Sequence, residues 1–191
     1  MSDAPQQRRL AAIVSIDIAG YSALVERDAP RALSHVTRLR ERAENVATRH
    51  DGRIFNTAGD SVMLEFASAS DALAAAIALW EAEQEAVLRF GVHVGEVMSA
   101  PNGDLLGHGV NVAARLQTEA TPGGLLASQI VHDTAEPHLA RRLTARGRIR
   151  LAKMRETIGV FALELSNAPA PQESATPVLA VLAFDPFPRH Q

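Results

Sequence analysis

The sequence predicts an α+β domain with a ferredoxin-like βαββαβ core and additions, and three observations support this prediction. Residues 10–16 are almost wholly apolar, which is typical of a central strand covered on both faces. Residues 53–58 and 61–66 have the composition of short strands and are separated only by Gly59-Asp60, which indicates a tight hairpin. Segments of helical periodicity precede and follow the hairpin, so the order is strand, helix, hairpin, helix, strand.

The first predicted helix has recognisable signals at both ends. Asp28 can cap its N-terminus, and Pro30 fits the first turn because a missing N–H loses no helical partner there. Asp51-Gly52 is expected to end the helix. Between these ends, apolar residues recur at helical spacing: Leu33, Val36, Leu39, Ala43, Val46 and Ala47.

The remaining elements follow from similar patterns, with the helices expected on one face of a largely antiparallel sheet. They are a helix that starts near Ser70, a strand over 88–94, a segment 96–100 that returns from it, and a turn at 101–103. A helix that begins after Gly107 and runs to about Ala120 follows, and then a strand over 125–128, a helical turn near Ile130, and strands near Ile149 and over 158–165. His93 lies in an apolar strand, so we expect a core residue there.

Composition excludes several classes of function. The chain has 19 basic and 22 acidic residues, and this formal net charge of −3 does not favour bulk binding of nucleic acid. It has no cysteine, which excludes disulfides, thiolate metal sites and cysteine nucleophiles. The longest apolar run, 72–80, is too short to span a bilayer, and the polar start lacks a secretion signal. We therefore expect a cytoplasmic protein with neither a membrane nor a nucleic-acid partner.

The 191 residues suffice for one domain with a tail. Residues 1–9 are predicted to form a flexible arm, and residues 10–165 the domain itself. Residues 166–191 begin as a Pro- and Ala-rich linker and include a short apolar stretch at 178–184. That stretch is interpreted either as an added edge strand or as the remainder of a fused or missing C-terminal domain.

Two acidic residues are expected to meet at one end of the sheet. Asp17 ends the first strand and Asp60 lies in the hairpin turn, and the topology pairs the hairpin with that strand. Two close carboxylates repel each other unless cations lie between them, and hard oxygen ligands suit Mg²⁺ or Mn²⁺. The alternatives are an ordinary turn residue for Asp60 and a strand-end residue capping nearby amides for Asp17.

A second group of polar residues lies at the start of the helix that follows Gly107. A glycine-flanked helix start presents backbone N–H groups to a phosphate. Asn111 and Arg115 are four residues apart and share one helix face, which suits a sugar and a phosphate. The alternative is a solvated polar ridge.

Four segments resemble, in the correct order, the motifs of the class III nucleotidyl cyclase catalytic domain. The resemblance runs from about Ala11 to Leu165, so the expected architecture is that of this family. The four segments are SIDIAGY at 15–21, NTAGD at 56–60, DLLG at 104–107 and VNVAARL at 110–116.

The resemblance implies a reaction and the groups that carry it out. The ribose 3′-oxygen of a nucleoside triphosphate attacks the α-phosphate, and pyrophosphate leaves. Asp17 and Asp60, with the Ile18 carbonyl nearby, would hold two divalent metal ions. Asn111 would orient the ribose and Arg115 would stabilise the α-phosphate in the transition state.

The resemblance also implies a homodimer with sites shared between subunits. One subunit supplies the metal aspartates, and the other supplies the Asn, the Arg and the base-reading residues. Asp104 would accept a hydrogen bond from the exocyclic amine of the base. Gly20 and Tyr21 are candidate phosphate-binding residues.

Two positions depart from the family pattern. Asn56 stands where adenylate-forming members usually carry Lys, and an amide both donates and accepts. Asp104 favours adenine but would also suit cytosine, and Asn56 could serve guanine or uracil. The late Lys that contacts the triphosphate falls on Ala152, so Lys153 or Arg150 is the candidate replacement.

The sequence therefore predicts a nucleotidyl cyclase with ATP as the leading substrate. The alternatives are a cyclase selective for GTP or a pyrimidine nucleotide, and a catalytically weak or inactive nucleotide-binding regulatory domain of the same fold.

Overall fold

The computed structural model describes residues 8–83, 85–152, 154 and 157–163. The predicted linker and tail at 166–191 lie outside these residues, as does Lys153. In chain order the elements are β1 (Arg8–Ile18), α1 (Tyr21–Arg27), α2 (Ala29–Arg49), β2 (Arg53–Ala58), β3 (Ser61–Phe66), α3 (Ala69–Ala82), β4 (Leu88–Ser99), β5 (Leu105–Leu106), α4 (His108–Glu119), β6 (Leu125–Ser128), α5 (Gln129–Thr134), α6 (Pro137–Ala140), β7 (Thr144–Arg150) and β8 (Thr157–Leu163).

The strands form a single mixed sheet in the order β2-β3-β1-β4-β6-β8-β7, with β5 paired to β4. Strand β1 is antiparallel to both β3 and β4, whereas β4 and β6 run parallel. The β2-β3-β1-β4 part, with α2 and α3, is the predicted βαββαβ core. The α+β fold class is therefore confirmed.

Strand β1 is buried on both faces because helices cover both sides of the sheet. Ala12, Val14 and Ile16 pack in the large core with α2 and α3. Ala11 and Ile13 face the opposite side and pack in a smaller cluster that includes a residue of α4. The expectation that the helices lie on one face is wrong for α4, since the continuous apolar run of β1 needs cover on both sides.

Strand β4 is one continuous strand, so the expected return of residues 96–100 is wrong. Gly95 is a point of close approach: a Cβ added there would lie 2.8 Å from the Cα of Gly109 in α4. Gly91 has the same role, because its added Cβ would lie 2.2 Å from the carbonyl oxygen of Ala113. The glycines let α4 rest directly on the backbone of β4.

The ends of several elements follow their capping residues. The Asp28 side chain accepts from the backbone N–H of Arg31 at 3.1 Å and begins α2, as predicted. The hairpin is also as predicted, with Gly59 at φ 59° in its two-residue turn. Strand β1 begins at Arg8 rather than after the predicted arm, because Arg8 pairs with Met98 of β4. Helix α1 was not predicted.

None of the helices in the described part of the chain is long and apolar enough to cross a membrane.

Replacing Gly91 by Ala is expected to destabilise the domain by about 1–3 kcal/mol, because the added methyl meets the backbone of α4. Urea denaturation measures the change in the free energy of unfolding. Ala145→Ser is the control, since Ala145 is exposed on β7. An unchanged midpoint for the Gly91 variant would contradict the close packing.

Stability is expected to fall as the pH drops from 6.5 towards 4, partly because of His93. Burial is the larger cause, and the charge of the nearby His108 the smaller one, of a pKa of His93 that is lowered to about 4. In this pH range the unfolded chain therefore takes up a proton that the folded chain does not. The full effect is roughly 3 kcal/mol. His93→Gln should lessen the pH dependence of the melting temperature in this range, while Gln can still bond the Ser128 hydroxyl that His93 Nδ1 contacts at 2.8 Å. An unaltered pH profile would contradict this assignment.

Candidate active site

The structure brings Asp17 and Asp60 to the same end of the sheet. Asp17 is the second-last residue of β1, and Asp60 occupies the β2–β3 turn. The Asp60 Oδ2 accepts a hydrogen bond from the backbone N–H of Ile18 at 3.1 Å. This bond attaches the turn to the residue next to Asp17, so the two carboxylates are neighbours although they are far apart in the sequence.

Arg89 lies directly opposite Asp17 in the β1–β4 register. Its Nε donates to Asp17 Oδ1 at 2.9 Å and its Nη2 donates to Asp17 Oδ2 at 2.5 Å, a bidentate pair. The hydrogen bond to Asp17 is the main reason why the pKa of Arg89 is raised, and the charge of Asp60 adds to the effect. Arg89 is therefore paired with Asp17, and its charge also acts on Asp60.

Arg89 did not emerge from the sequence analysis. The only available signal was the register of β4 on β1, and patterns of local periodicity do not contain it. The residue begins a strand that was predicted from its apolar positions, so its charge was not singled out.

The donor set fits divalent metal ions. Asp17 and Asp60 supply hard carboxylate oxygens, which suit Mg²⁺ or Mn²⁺. The Asp17 side chain is 16% exposed, so it is accessible without being fully solvated. No cluster of three or more His, Asp or Glu suited to a metal lies among the described residues. Within them, this pair is the set of donors that matches the predicted ligands.

Gly20 and Tyr21 follow Asp17 closely at the same end of the sheet. Gly20 has φ 73° and precedes α1, and its carbonyl accepts from the N–H of Leu24 at 3.1 Å. The left-handed conformation suits glycine and turns the chain from β1 into the helix. Tyr21 is half-buried against the main core.

A bulge in β2 determines where Asn56 lies. The register shifts between Ile54 and Asn56, which leaves Phe55 as the extra residue and places Asn56 opposite Met63. Met63 packs in the cluster on the α4 side, and directly opposite residues share a face. Asn56 is therefore half-buried on the α4 side of the sheet.

Asp104 is near Asn56 in the fold because the residues next to them pack together. Phe55 and Leu105 belong to the same buried cluster. The Asp104 carboxylate accepts from the Asn102 amide through Oδ2 at 2.8 Å, and its backbone N–H donates to Asn102 Oδ1 at 3.2 Å. These bonds hold one carboxylate oxygen within the turn.

Asn111 and Arg115 point away from the sheet of their own chain. Gly109 and Ala113 contact β4, and residues 111 and 115 are about 160–200° around the helix from Ala113. Asn111 is exposed and Arg115 is half-buried. Within the described part of the chain, neither side chain has a hydrogen bond or ion pair.

Arg150 ends β7 and is exposed. The next residue, Leu151, is fully buried in a cluster with Leu116 of α4, whereas Ala152 is exposed again. Arg150 and Ala152 therefore lie on the solvent side next to α4.

One chain does not bring all of these residues together. Asp17 faces the α4 side of the sheet, since it is four residues from Ile13 along β1 and therefore shares its face. Asn111 and Arg115 are on the other side of α4, away from that sheet. The carboxylate pair and the α4 ridge (Asn111 and Arg115) are thus two separate surfaces of one chain.

No family model matches the chain. A Rhizobium meliloti protein named "Putative adenylate cyclase 3" is 34% identical in an alignment 200 residues long, and the match covers 94% of this chain and 34% of that protein. An uncharacterized Mycobacterium tuberculosis protein, Rv2212, is 31% identical over 169 residues, 84% of this chain and 42% of that protein. The chain thus spans between about a third and two fifths of the length of these curated relatives.

Solved structures agree with these relatives. The crystal structure of an adenylate/guanylate cyclase/hydrolase from Silicibacter pomeroyi superposes with a TM-score of 0.75 at 30% identity, covering 83% of this chain and 98% of that one. The adenylyl cyclase CyaB from P. aeruginosa shares the fold, with a TM-score of 0.68 at 19% identity over 84% of this chain and 96% of that one. Because the Silicibacter pomeroyi chain is covered almost completely at that identity, the present chain belongs to the class III adenylate/guanylate cyclase family.

Proposed function

We propose that the chain is a nucleotidyl cyclase that converts a nucleoside triphosphate, with ATP the leading substrate, into a 3′,5′-cyclic nucleotide and pyrophosphate. The observation that supports this most is that Asp17 and Asp60 lie at the same end of the sheet of the cyclase fold, where Asp60 accepts from the Ile18 N–H and Arg89 pairs with Asp17.

Asp17 and Asp60, with the Ile18 carbonyl, would hold two Mg²⁺ or Mn²⁺ ions. When bound, such ions supply activation of the 3′-hydroxyl and neutralisation of the triphosphate charge. Hydrogen bonds hold the carboxylates in place: the backbone N–H of Ile18 donates to Asp60, and the guanidinium of Arg89 donates twice to Asp17. Arg89 also offsets the repulsion between the carboxylates and an approaching triphosphate, since it pairs with Asp17 and its charge acts on Asp60.

The remaining groups would come from a second copy of the chain. The α4 ridge points away from its own sheet, so Asn111 and Arg115 are available to a partner. A two-fold symmetric pair would place each ridge over the other chain's carboxylates and form two equivalent sites. There Asn111 would orient the ribose, and Arg115 would stabilise the charge that develops on the α-phosphate. Gly20, Tyr21 and Arg150 are the candidate contacts to the phosphates.

Asp104 and Asn56 would read the base. Asn102 occupies Oδ2 of Asp104, so Oδ1 is left to accept from an exocyclic amine, which favours adenine and also suits cytosine. The Asn56 amide on the same side could serve guanine or uracil instead, because it both donates and accepts.

A second candidate function is a nucleotide-binding regulatory domain with weak or no catalysis. The exposed Ala152 at the position of the family's late Lys favours it. The presence of both carboxylates in a shared site argues for catalysis, since a domain that only binds nucleotide does not need both.

Incubation with ATP, GTP, CTP and UTP in separate Mn²⁺ reactions is expected to give cyclic product and pyrophosphate, most rapidly from ATP. Asp60→Asn should lower kcat on the order of 10²-fold or more, because it removes a carboxylate charge while its amide oxygen can still accept from Ile18. Chromatography of the reaction products measures the rate of cyclic nucleotide formation for each nucleotide and for each variant. Asp133→Asn is the control, since that residue lies on the exposed surface of α5. Tight nucleotide binding without any product would favour the regulatory alternative.

Mixing inactive chains tests the shared site. Asp17→Asn and Arg115→Ala chains, mixed in equal amounts, are expected to recover about a quarter of the wild-type activity, because half of the dimers are mixed and one of their two sites is intact. Asp17→Asn mixed with Asp60→Asn is the matched control and should recover none, since both changes affect the same half of each site. Absence of recovery in the first mixture, with dimers present by light scattering, would contradict an interfacial site.

A further inference from the structure

A buried carboxylate on β3 holds two arginines from neighbouring strands. Glu65 is 8% exposed and lies on the α4 side of the sheet, opposite Ile13. Arg53 of β2 donates to Glu65 Oε2 from Nε at 2.9 Å and makes an ion pair with it through Nη2 at 2.8 Å. Arg9 of β1 forms an ion pair with the other oxygen, Oε1.

Arg53 makes one further contact, to a segment far along the chain. Its Nη2 donates to the carbonyl oxygen of Gly103 at 3.0 Å. Gly103 is the last residue of the turn that follows β4, and the next residue is Asp104. The Arg53 side chain is 47% exposed, so packing alone does not fix it. Its ion pair with the buried carboxylate of Glu65 holds it in position.

The other hydrogen bonds of this turn are internal. Gly103 N–H donates to Ala100 at 3.0 Å, Ala100 N–H donates to Asp104 at 2.8 Å, and Asn102 binds Asp104. They give the turn its shape but do not attach it to β2. Among the described residues, the hydrogen bond from Arg53 to the Gly103 carbonyl is the one that attaches this turn to β2.

A buried ion pair is weak evidence for a role in stability, because the loss of hydration offsets most of the attraction. Arg53 is on the same strand as Asn56, three residues earlier, and it holds the turn that carries Asp104. The contacts from Glu65 through Arg53 to Gly103 therefore hold the turn that carries Asp104 at a fixed distance from the strand that carries Asn56.

We propose that Arg53, anchored by Glu65, is a positioning residue that sets the spacing between Asn56 and Asp104 and so determines which base the site accepts. This proposal rests on the base-reading part of the proposed function. Arg53 acts through the turn and does not touch the substrate.

The expected signature is a change in selectivity with little change in turnover. Hydrogen bonds to the base are made equally in the bound substrate and in the transition state, so their loss raises KM and leaves kcat nearly unaltered. The carboxylates of the proposed metal site are held by other contacts, those of Ile18 and Arg89, which a change at Arg53 leaves in place.

The test compares Arg53→Gln with the wild type for ATP, GTP, CTP and UTP. We expect the ratio of kcat/KM between the best and second-best nucleotide to fall about tenfold, with kcat for the best within about threefold. Arg53→Lys should be intermediate, because one ammonium cannot reproduce the planar fork that binds Glu65 and Gly103 together. Arg8→Gln is the matched control: Arg8 also pairs with a glutamate, Glu96, at 3.3 Å on an exposed surface.

Two further measurements separate this proposal from the proposed function. Amide exchange at Gly103 and Asp104 should be faster in Arg53→Gln and unaltered in Arg8→Gln. Calorimetry with the α,β-methylene analogues of the four nucleotides gives selectivity as a ratio of Kd values, without turnover.

A wild-type chain that forms no cyclic product would overturn the proposed function alone, and the ratio of Kd values would then decide the role of Arg53. Unchanged selectivity in Arg53→Gln, by kcat/KM or by Kd, would overturn the positioning role and leave the cyclase proposal standing.

Discussion

Helix α4 lies directly on the backbone of β4, because Gly91 and Gly95 have no side chains to hold it away. This contact covers the second face of β1 and determines which side of α4 remains outside. The inner side carries Gly109 and Ala113, so Asn111 and Arg115 are turned outwards. The separation of the α4 ridge from the carboxylate pair is thus a consequence of packing, and it is the reason why a second chain enters the proposed mechanism.

In each of the two candidate functional regions, an acidic side chain pairs with an arginine from a neighbouring strand. Arg89 pairs with Asp17 across β1 and β4, and Arg53 pairs with Glu65 across β2 and β3. In both cases the cross-strand register sets the geometry. The first pair lies within the proposed metal site, whereas Arg53 of the second pair bonds the turn that precedes Asp104, through which we propose that it acts.

The family relationship and the departures from its pattern concern different parts of the site. The residues proposed for metal binding match the family motifs, and the cyclase fold surrounds them. The departures, Asn56 and Ala152, lie where the base and the triphosphate are expected. The β2 bulge places Asn56 on the α4 side, near the turn that carries Asp104, its proposed partner in base recognition.

Local chemistry in the sequence was enough to predict the βαββαβ core. The two-residue turn at Gly59-Asp60 and the Asp28 cap act within a few residues, and the predicted ends of the hairpin strands agree with the structure. The motifs also singled out Asp17 and Asp60, because a strand end and a tight turn of paired strands must lie together.

Tertiary structure alone decided the contacts that depend on register and close approach. Arg89 meets Asp17 because of how β4 aligns with β1, and Gly95 marks a helix contact where a turn was expected. The bond from Arg53 to Gly103 joins segments 50 residues apart. Periodicity and capping act between residues near in sequence, whereas these contacts arise only when separate elements pack against each other.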